Sequence, residues 1–219
     1  MSPAMLILRL RLLRPFLRFF FKLLYGPMAF TYDLVAATVS LGRWRSWVLA
    51  ALPYLTGPRI LEVGHGPGHL QAALLEAGKV AVGLDFSPQM GRMAMKRLNN
   101  KQNPRLVRGA GQALPFLSVS FDQVVSTFPS EFIADKNTIT EILRVLRPGG
   151  KAVIMLGAWI TGRGLSDRGA AWLFRVTGQA PEWSDRYLAP LKDMGFDARV
   201  EWLEGRGSRI LMIIAEKDY

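Results

Sequence analysis

No cysteine occurs among the 219 residues. That excludes disulfides, zinc–thiolate sites and any covalent mechanism built on a Cys nucleophile, and it leaves the redox compartment open. Histidine is nearly missing too: His65 and His69 are the only two, too few for a His-based metal site, so no metal is expected. Acids are scarce against bases, 17 Asp and Glu against 28 Lys and Arg, for a formal net charge of +11. Such an excess points to an anionic partner, nucleic acid or membrane, and its distribution decides between them. Half of the residues are hydrophobic, enough at this length to bury a substantial core in one domain with additions. Internal repeats and low-complexity tails are absent.

Much of the charge sits at the start. Residues 5 to 24 read MLILRLRLLRPFLRFFFKLL, with five cations (Arg9, Arg11, Arg14, Arg18, Lys22) and no acid. At helical spacing Arg11, Arg14, Arg18 and Lys22 share a narrow stripe, Arg9 lies off it, and Pro15 kinks the run. The apolar residues contribute roughly −4 to −8 kcal/mol toward insertion, which three central arginines at about +2.5 to +3.5 each cancel. Lying in the interface avoids that penalty, since each cation near an anionic surface adds about 1 kcal/mol. The stretch therefore reads as an amphipathic, monotopic membrane-surface helix (1–27), peripheral on the cytoplasmic face. A cleaved signal peptide is disfavoured, because cations run through the apolar region. A transit peptide, or a helix packed on its own domain or a partner chain, are the competing readings.

Residues 28–55 look helical up to Pro53 and Gly57-Pro58. Then apolar runs at Ile60–Val63, Val80–Leu84, Leu106–Val107, Phe121–Ser126 and Ala152–Leu156 alternate with helical stretches near 69–77, 88–100 and 136–146. That order predicts a doubly wound, mostly parallel α/β sheet of Rossmann-like type. Residues 157–190, with five glycines among Trp159, Trp172, Phe174 and Trp183, read as an irregular flap over a substrate. Ala198–Leu203 and Arg209–Ala215 flank the turn Glu204–Gly207, a hairpin that makes the last strand antiparallel. The domain proper is then 28–219.

The chain is organised around Arg59-Ile-Leu-Glu-Val-Gly-His-Gly-Pro-Gly-His-Leu70, a strand, a glycine turn and a helix start, the arrangement that holds nucleotide-like ligands. Gly64, Gly66 and Gly68 allow close backbone approach, and Pro67 suits the first helical turn. The nicotinamide fingerprint needs G-x-G-x-x-G, but here the third glycine comes one residue early. Glu62 suits a ligand with an amino group better than one with a pyrophosphate. Asp85, at the end of the second strand, is placed for two ribose hydroxyls. Its alternative role is a helix N-cap, which Ser87-Pro88 could supply instead.

These motifs together resemble the class I S-adenosylmethionine-dependent methyltransferases of the small lipid and quinone type. Glu62-Val-Gly-His-Gly-Pro-Gly68 matches their first motif, Gly83-Leu-Asp-Phe-Ser-Pro88 the second and Arg108–Phe116 the third. Phe121–Ser126 and Glu141-Ile-Leu-Arg-Val-Leu-Arg-Pro-Gly-Gly150 complete the likeness, which runs from about 57 to 156. The resemblance implies S-adenosylmethionine as cofactor. Glu62 would hold its amino group, Gly64, His65, Gly66 and Gly68 its approach through backbone, Asp85 its ribose and Phe86 the adenine flank. Ala110 stands where the family carries an acid for the adenine amino group, and Gln112 is the substitute. Thr127 would lie beside the methionine portion. Tyr32 and Asp33 sit where quinone-methylating relatives carry a Tyr-Asp pair on a lid helix, making Tyr32 the stronger contact.

Methyl transfer needs alignment and water exclusion, with a base only where the acceptor loses a proton. Glu131 is the candidate base, because the apolar stretch before it would raise its pKa. His69 is expected to pack on the first helical turn. The loop Phe128-Pro-Ser-Glu-Phe-Ile133 lacks the Asn-Pro-Pro-Tyr pattern that grips a base amine, and interleaved aromatic and basic RNA-contact patterns are missing. Nucleic acid is therefore not the expected partner. A lipophilic, membrane-derived small molecule is, a quinone-type ring or a phospholipid head group. A soluble small-molecule methyltransferase and a non-catalytic binding protein that kept the fold are the alternatives.

Overall fold

The computed structural model describes residues 32–101, 103–162, 164, 167–169, 187–205 and 207–218. The surface helix expected at 5–24, and Trp172, Phe174 and Trp183 of the expected flap, lie outside the described residues. Two short helices open the described chain, α1 (Tyr32–Val39) and α2 (Trp44–Leu49), followed by a 3-10 turn at Leu52–Tyr54. The break between them falls at Leu41 and Gly42, both at positive φ, so the stretch read as continuously helical is in three pieces. Then come β1 (Arg59–Val63), α3 (His69–Glu76), β2 (Val80–Asp85), α4 (Pro88–Leu98), β3 (Arg105–Arg108) and β4 (Phe121–Thr127). A 3-10 turn at Glu131–Ala134, α5 (Lys136–Val145), β5 (Leu146–Ile160), α6 (Ala189–Asp193), β6 (Phe196–Gly205) and β7 (Ser208–Lys217) complete it.

The seven strands form one sheet in the order β3-β2-β1-β4-β5-β7-β6. β1 to β5 pair in parallel, while β7 runs antiparallel between β5 and β6. This is the doubly wound, mostly parallel sheet with an antiparallel last strand that the alternating pattern predicts. β5 is longer than its apolar run implies. Gly157–Ile160 pair with Ser208–Leu211 and belong to the sheet, so the expected flap cannot start before Thr161. At the other end Ala189 and Pro190 already belong to α6.

Both faces of the sheet are covered, which explains near-continuous apolar strands. Successive residues serve opposite layers. Val125, Val153 and Met212 pack with Trp47, Leu70 and Leu74, while Val124, Ile154 and Ile213 pack with Ile139 and Ile142. Among the described residues no helix is long and apolar enough to cross a membrane.

Candidate active site

Winding reverses between β1 and β4, and in open α/β sheets ligands bind outside the carboxyl ends of the strands at that switch. The glycine turn leaves β1 there. Gly64 and His65 N–H both donate to Leu84 O (2.7 and 3.2 Å), which fixes the turn against the end of β2. Gly66 N–H donates to Asp85 Oδ2 at 2.9 Å, and Ser87 N–H to Asp85 Oδ1 at 2.8 Å. Each Asp85 oxygen thus takes one backbone N–H and keeps acceptor capacity for a hydroxyl. Helix α4 is capped by Ser87 Oγ, which accepts from Met90 N–H, so the competing N-cap role does not fall to Asp85.

The three glycines serve different ends. Gly66, at φ +51°, has nothing within 4 Å of where a Cβ would stand, which leaves room for a ligand. Gly68, at φ +82°, would bring a Cβ to 2.9 Å from Ala94 Cβ and 3.1 Å from Ala94 Cα. Its glycine is demanded by the contact of the turn with α4 as well as by φ. Pro67 lies before the Gly68 cap and not in the first turn of α3, which starts at His69.

Glu62 is 1% exposed, and its Oε2 accepts from Gln71 Nε2 at 2.8 Å. Burial pushes its carboxyl up to about 8, with the Asp85 charge adding to the rise. No cation pairs with it among the described residues, so a buried carboxyl near the end of β1 lacks a positive charge. His65 is buried as well, and burial lowers its pKa. Its Nδ1 lies 2.7 Å from Gly66 O, which can only accept, so Nδ1 carries the proton. The ring packs over Gly83, where a Cβ would stand 3.0 Å from His65 Cδ2. A cavity of about 380 Å³ opens beside it, lined by Asp85, Ser87, Arg92, Met95 and Leu106 among others. Phe86, 71% exposed, offers a bare ring just beyond β2. Past β3, Ala110 is half-buried and Gln112 exposed.

On the expected lid helix the Asp33 carboxylate is already paired: Oδ1 with His69 Nε2 at 3.1 Å and Oδ2 with Arg97 at 2.5 Å. His69, expected to pack on the helix turn, is the partner that ties α1 to α3. Arg97 also donates to Pro67 O, so the same cluster grips the glycine turn. Tyr32 begins α1, and its side chain lies outside the described residues. Glu131 opens the 3-10 turn after β4 and is exposed, so the apolar shielding expected of it is missing. Thr127, half-buried, ends β4 opposite Met155.

Two phenylalanines escaped the sequence reading. Phe132 lies against both Gly64 and Gly111, whose Cβ positions would be 3.5 and 3.1 Å from its ring, and so packs on the glycine turn and on the segment after β3. Phe128 sits at φ +50°, rare for a bulky residue, and stacks on Trp44 with centroids 4.3 Å apart. Spacing carries no signal for either. The run Glu141–Gly150 proves to be scaffold: Arg144 pairs with Glu141 and donates to Leu114 O and Phe116 O, while Arg147 pairs with Asp122. Among the described residues no group of three or more potential metal ligands forms.

A parallel sheet with a glycine turn, a buried acid and a ribose-type acid at its switch point defines a doubly wound α/β protein of the nucleotide-ligand kind. Residues 61–154 match the family profile described as methyltransferase domain. It is 33% identical over 137 residues to the demethylmenaquinone methyltransferase of Renibacterium salmoninarum, covering 60% of this chain and 56% of that one. It is 31% identical to the ubiquinone/menaquinone biosynthesis C-methyltransferase UbiE of a Geobacter species, covering 61% of each. The chain therefore spans somewhat over half the length of these curated relatives. A putative S-adenosyl-L-methionine-dependent methyltransferase from Methanococcus maripaludis shares the fold at TM-score 0.60 and 24% identity, over 88% of this chain and 91% of that one. So does phosphoethanolamine N-methyltransferase 2 of Haemonchus contortus, solved with S-adenosyl-L-methionine, at TM-score 0.60 and 19% identity over 81% and 53%.

Proposed function

We propose that this chain is an S-adenosylmethionine-dependent methyltransferase acting on a lipophilic, membrane-derived acceptor. The observation that carries the reading is the set of groups at the switch point: a buried Glu62 without a cationic partner among the described residues, open space at Gly66, and an Asp85 carboxylate with spare acceptor capacity. Each suits one part of the cofactor, namely the ammonium, the close backbone approach and the ribose hydroxyls. When bound, the cofactor supplies a methyl electrophile on its sulfonium. The chain's own work is to orient the acceptor and exclude water, and Phe132 and Phe128 are apolar walls for that purpose. Glu131 takes a proton where the acceptor must lose one, and its exposure lets that proton pass to solvent.

The acceptor class draws support from the curated relatives, which are named for quinones, and from the fold shared with a phosphoethanolamine methyltransferase. The cationic, greasy stretch at 5–24 supports peripheral docking on the cytoplasmic face of an anionic membrane. Calorimetry with S-adenosylmethionine tests the cofactor reading: binding is expected, and is expected to weaken at least tenfold in Asp85→Ala. Binding that is absent, or unchanged in the variant, overturns it. Mass spectrometry of a lipid extract incubated with protein and methyl-labelled cofactor tests the acceptor, with label expected in a quinone-type ring or a head-group amine.

A further inference from the structure

Glu62 and Gln71 form an isolated polar pair in a dry place. Glu62 is 1% and Gln71 0% exposed, and the 2.8 Å bond between them is the one hydrogen bond to the Glu62 side chain among the described residues. Gln71 reaches it from the first turn of α3, with its amide packed over Gly83, where a Cβ would stand 3.1 Å away. The far end of that amide, Oε1, is buried without a partner. The groups around the pair offer no positive charge. Asp85 at the end of β2 is a second carboxylate, and burial works against a positive charge on His65 in the turn. From β4, Ser126 Oγ is committed to Val63 O at 2.6 Å. An ionised, unpaired carboxylate in such surroundings is costly, whereas protonation removes the charge while Oε2 still accepts from Gln71.

We propose that Glu62 is protonated in the free protein and exchanges that proton for the ligand's ammonium on binding, with Gln71 as the positioning residue that holds the carboxyl toward the crevice. This rests on the reading of the site as one for S-adenosylmethionine. The balance is simple: a neutral carboxyl and an ammonium become an ion pair, and one proton leaves to the buffer. Burial and Asp85 both push the Glu62 carboxyl up, which keeps it protonated below neutrality.

The test is titration calorimetry of the full chain with S-adenosylhomocysteine at pH 6.5, where the ligand's amino group keeps its proton, in two buffers of different ionisation enthalpy. The expected result is release of about one proton per ligand. Glu62→Gln, of equal size, should bind without release. Gln71→Met should keep the release and lose affinity by roughly tenfold, as expected for one bond to a charged group. Binding with no proton released overturns the inference and leaves the cofactor reading standing, as does release that persists in Glu62→Gln. No binding under any condition overturns the cofactor reading itself. Should the variants fail to fold, the unsubstituted protein still decides: the infrared band of a buried protonated carboxyl should be present without ligand and vanish on saturation, and its absence without ligand refutes the proposal.

Discussion

Gly68 shows how one residue can be fixed by its neighbours and not by a ligand. Its φ of +82° disfavours any side chain, and the Cβ of an alanine would press on Ala94. Gly68→Ala should destabilise by roughly 2–5 kcal/mol, from about 1–2 for the left-handed backbone and about 1–3 for overpacking. Ala94→Gly should restore only part of the packing share in the double variant, because the contact with the residue 94 Cα remains, and urea denaturation of the four species measures both. Glu62 sets a different signature, in pH. Its folded-state pKa, pushed up to about 8, lies above the unfolded value near 4.5. A raised acid contributes stability that is full below the unfolded value and is lost as pH rises toward the folded one. The ligand-free Tm should therefore decline between about pH 5 and 8. In Glu62→Gln that decline should flatten, which thermal melts across the range will show.

At the scale of elements, α1 is joined to the site by charge. Asp33 reaches His69 on α3 and Arg97 on α4, and those two bonds, His69 first, hold its carboxyl below the usual aspartate range. Docking of α1 is thus complete above that range and is lost as acid protonates Asp33. Asp33→Ala should speed amide exchange across 32–39 while the β1 and β4 amides stay protected, and cofactor affinity should fall as the glycine turn loosens. The Glu141–Arg144 pair works similarly on the segment before β4, since Arg144 holds Leu114 O and Phe116 O while Glu141 accepts from Leu114 N–H. Arg144→Ala takes the partner from the half-buried Glu141 carboxylate and from two carbonyls at once, at a cost of roughly 2 kcal/mol in a denaturation curve. A change below a few tenths would show that the segment is held by packing alone.

For the whole molecule, strand order gathers the site and charge distribution addresses it. Five of the eleven net positive charges fall before residue 28, on a stretch without acids. The full chain should co-sediment with anionic liposomes, less so as salt rises, and a chain starting at Met28 should stay in the supernatant. Equal partitioning of the two would refute the anchor.

Periodicity was enough for the sheet, because parallel strands covered on both faces must be apolar along their length, and the glycine turn with Glu62 and Asp85 was legible because backbone approach and hydroxyl binding restrict residue type. The limits of β5 were not, since Gly157–Ile160 are strand only because β7 pairs with them. Nor were the partners of side chains. Asp33 looked like a ligand contact until folding brought His69 and Arg97 to it, and Phe128 and Phe132 gained meaning only from the chain reversal after β4. The sequence by itself determined the fold class and the kind of ligand, which depend on local pattern and residue chemistry. Tertiary structure decided which ionisable groups are already paired and which, like Glu62, are buried without a cation among the described residues, because pairing and burial depend on contacts between residues far apart in the chain.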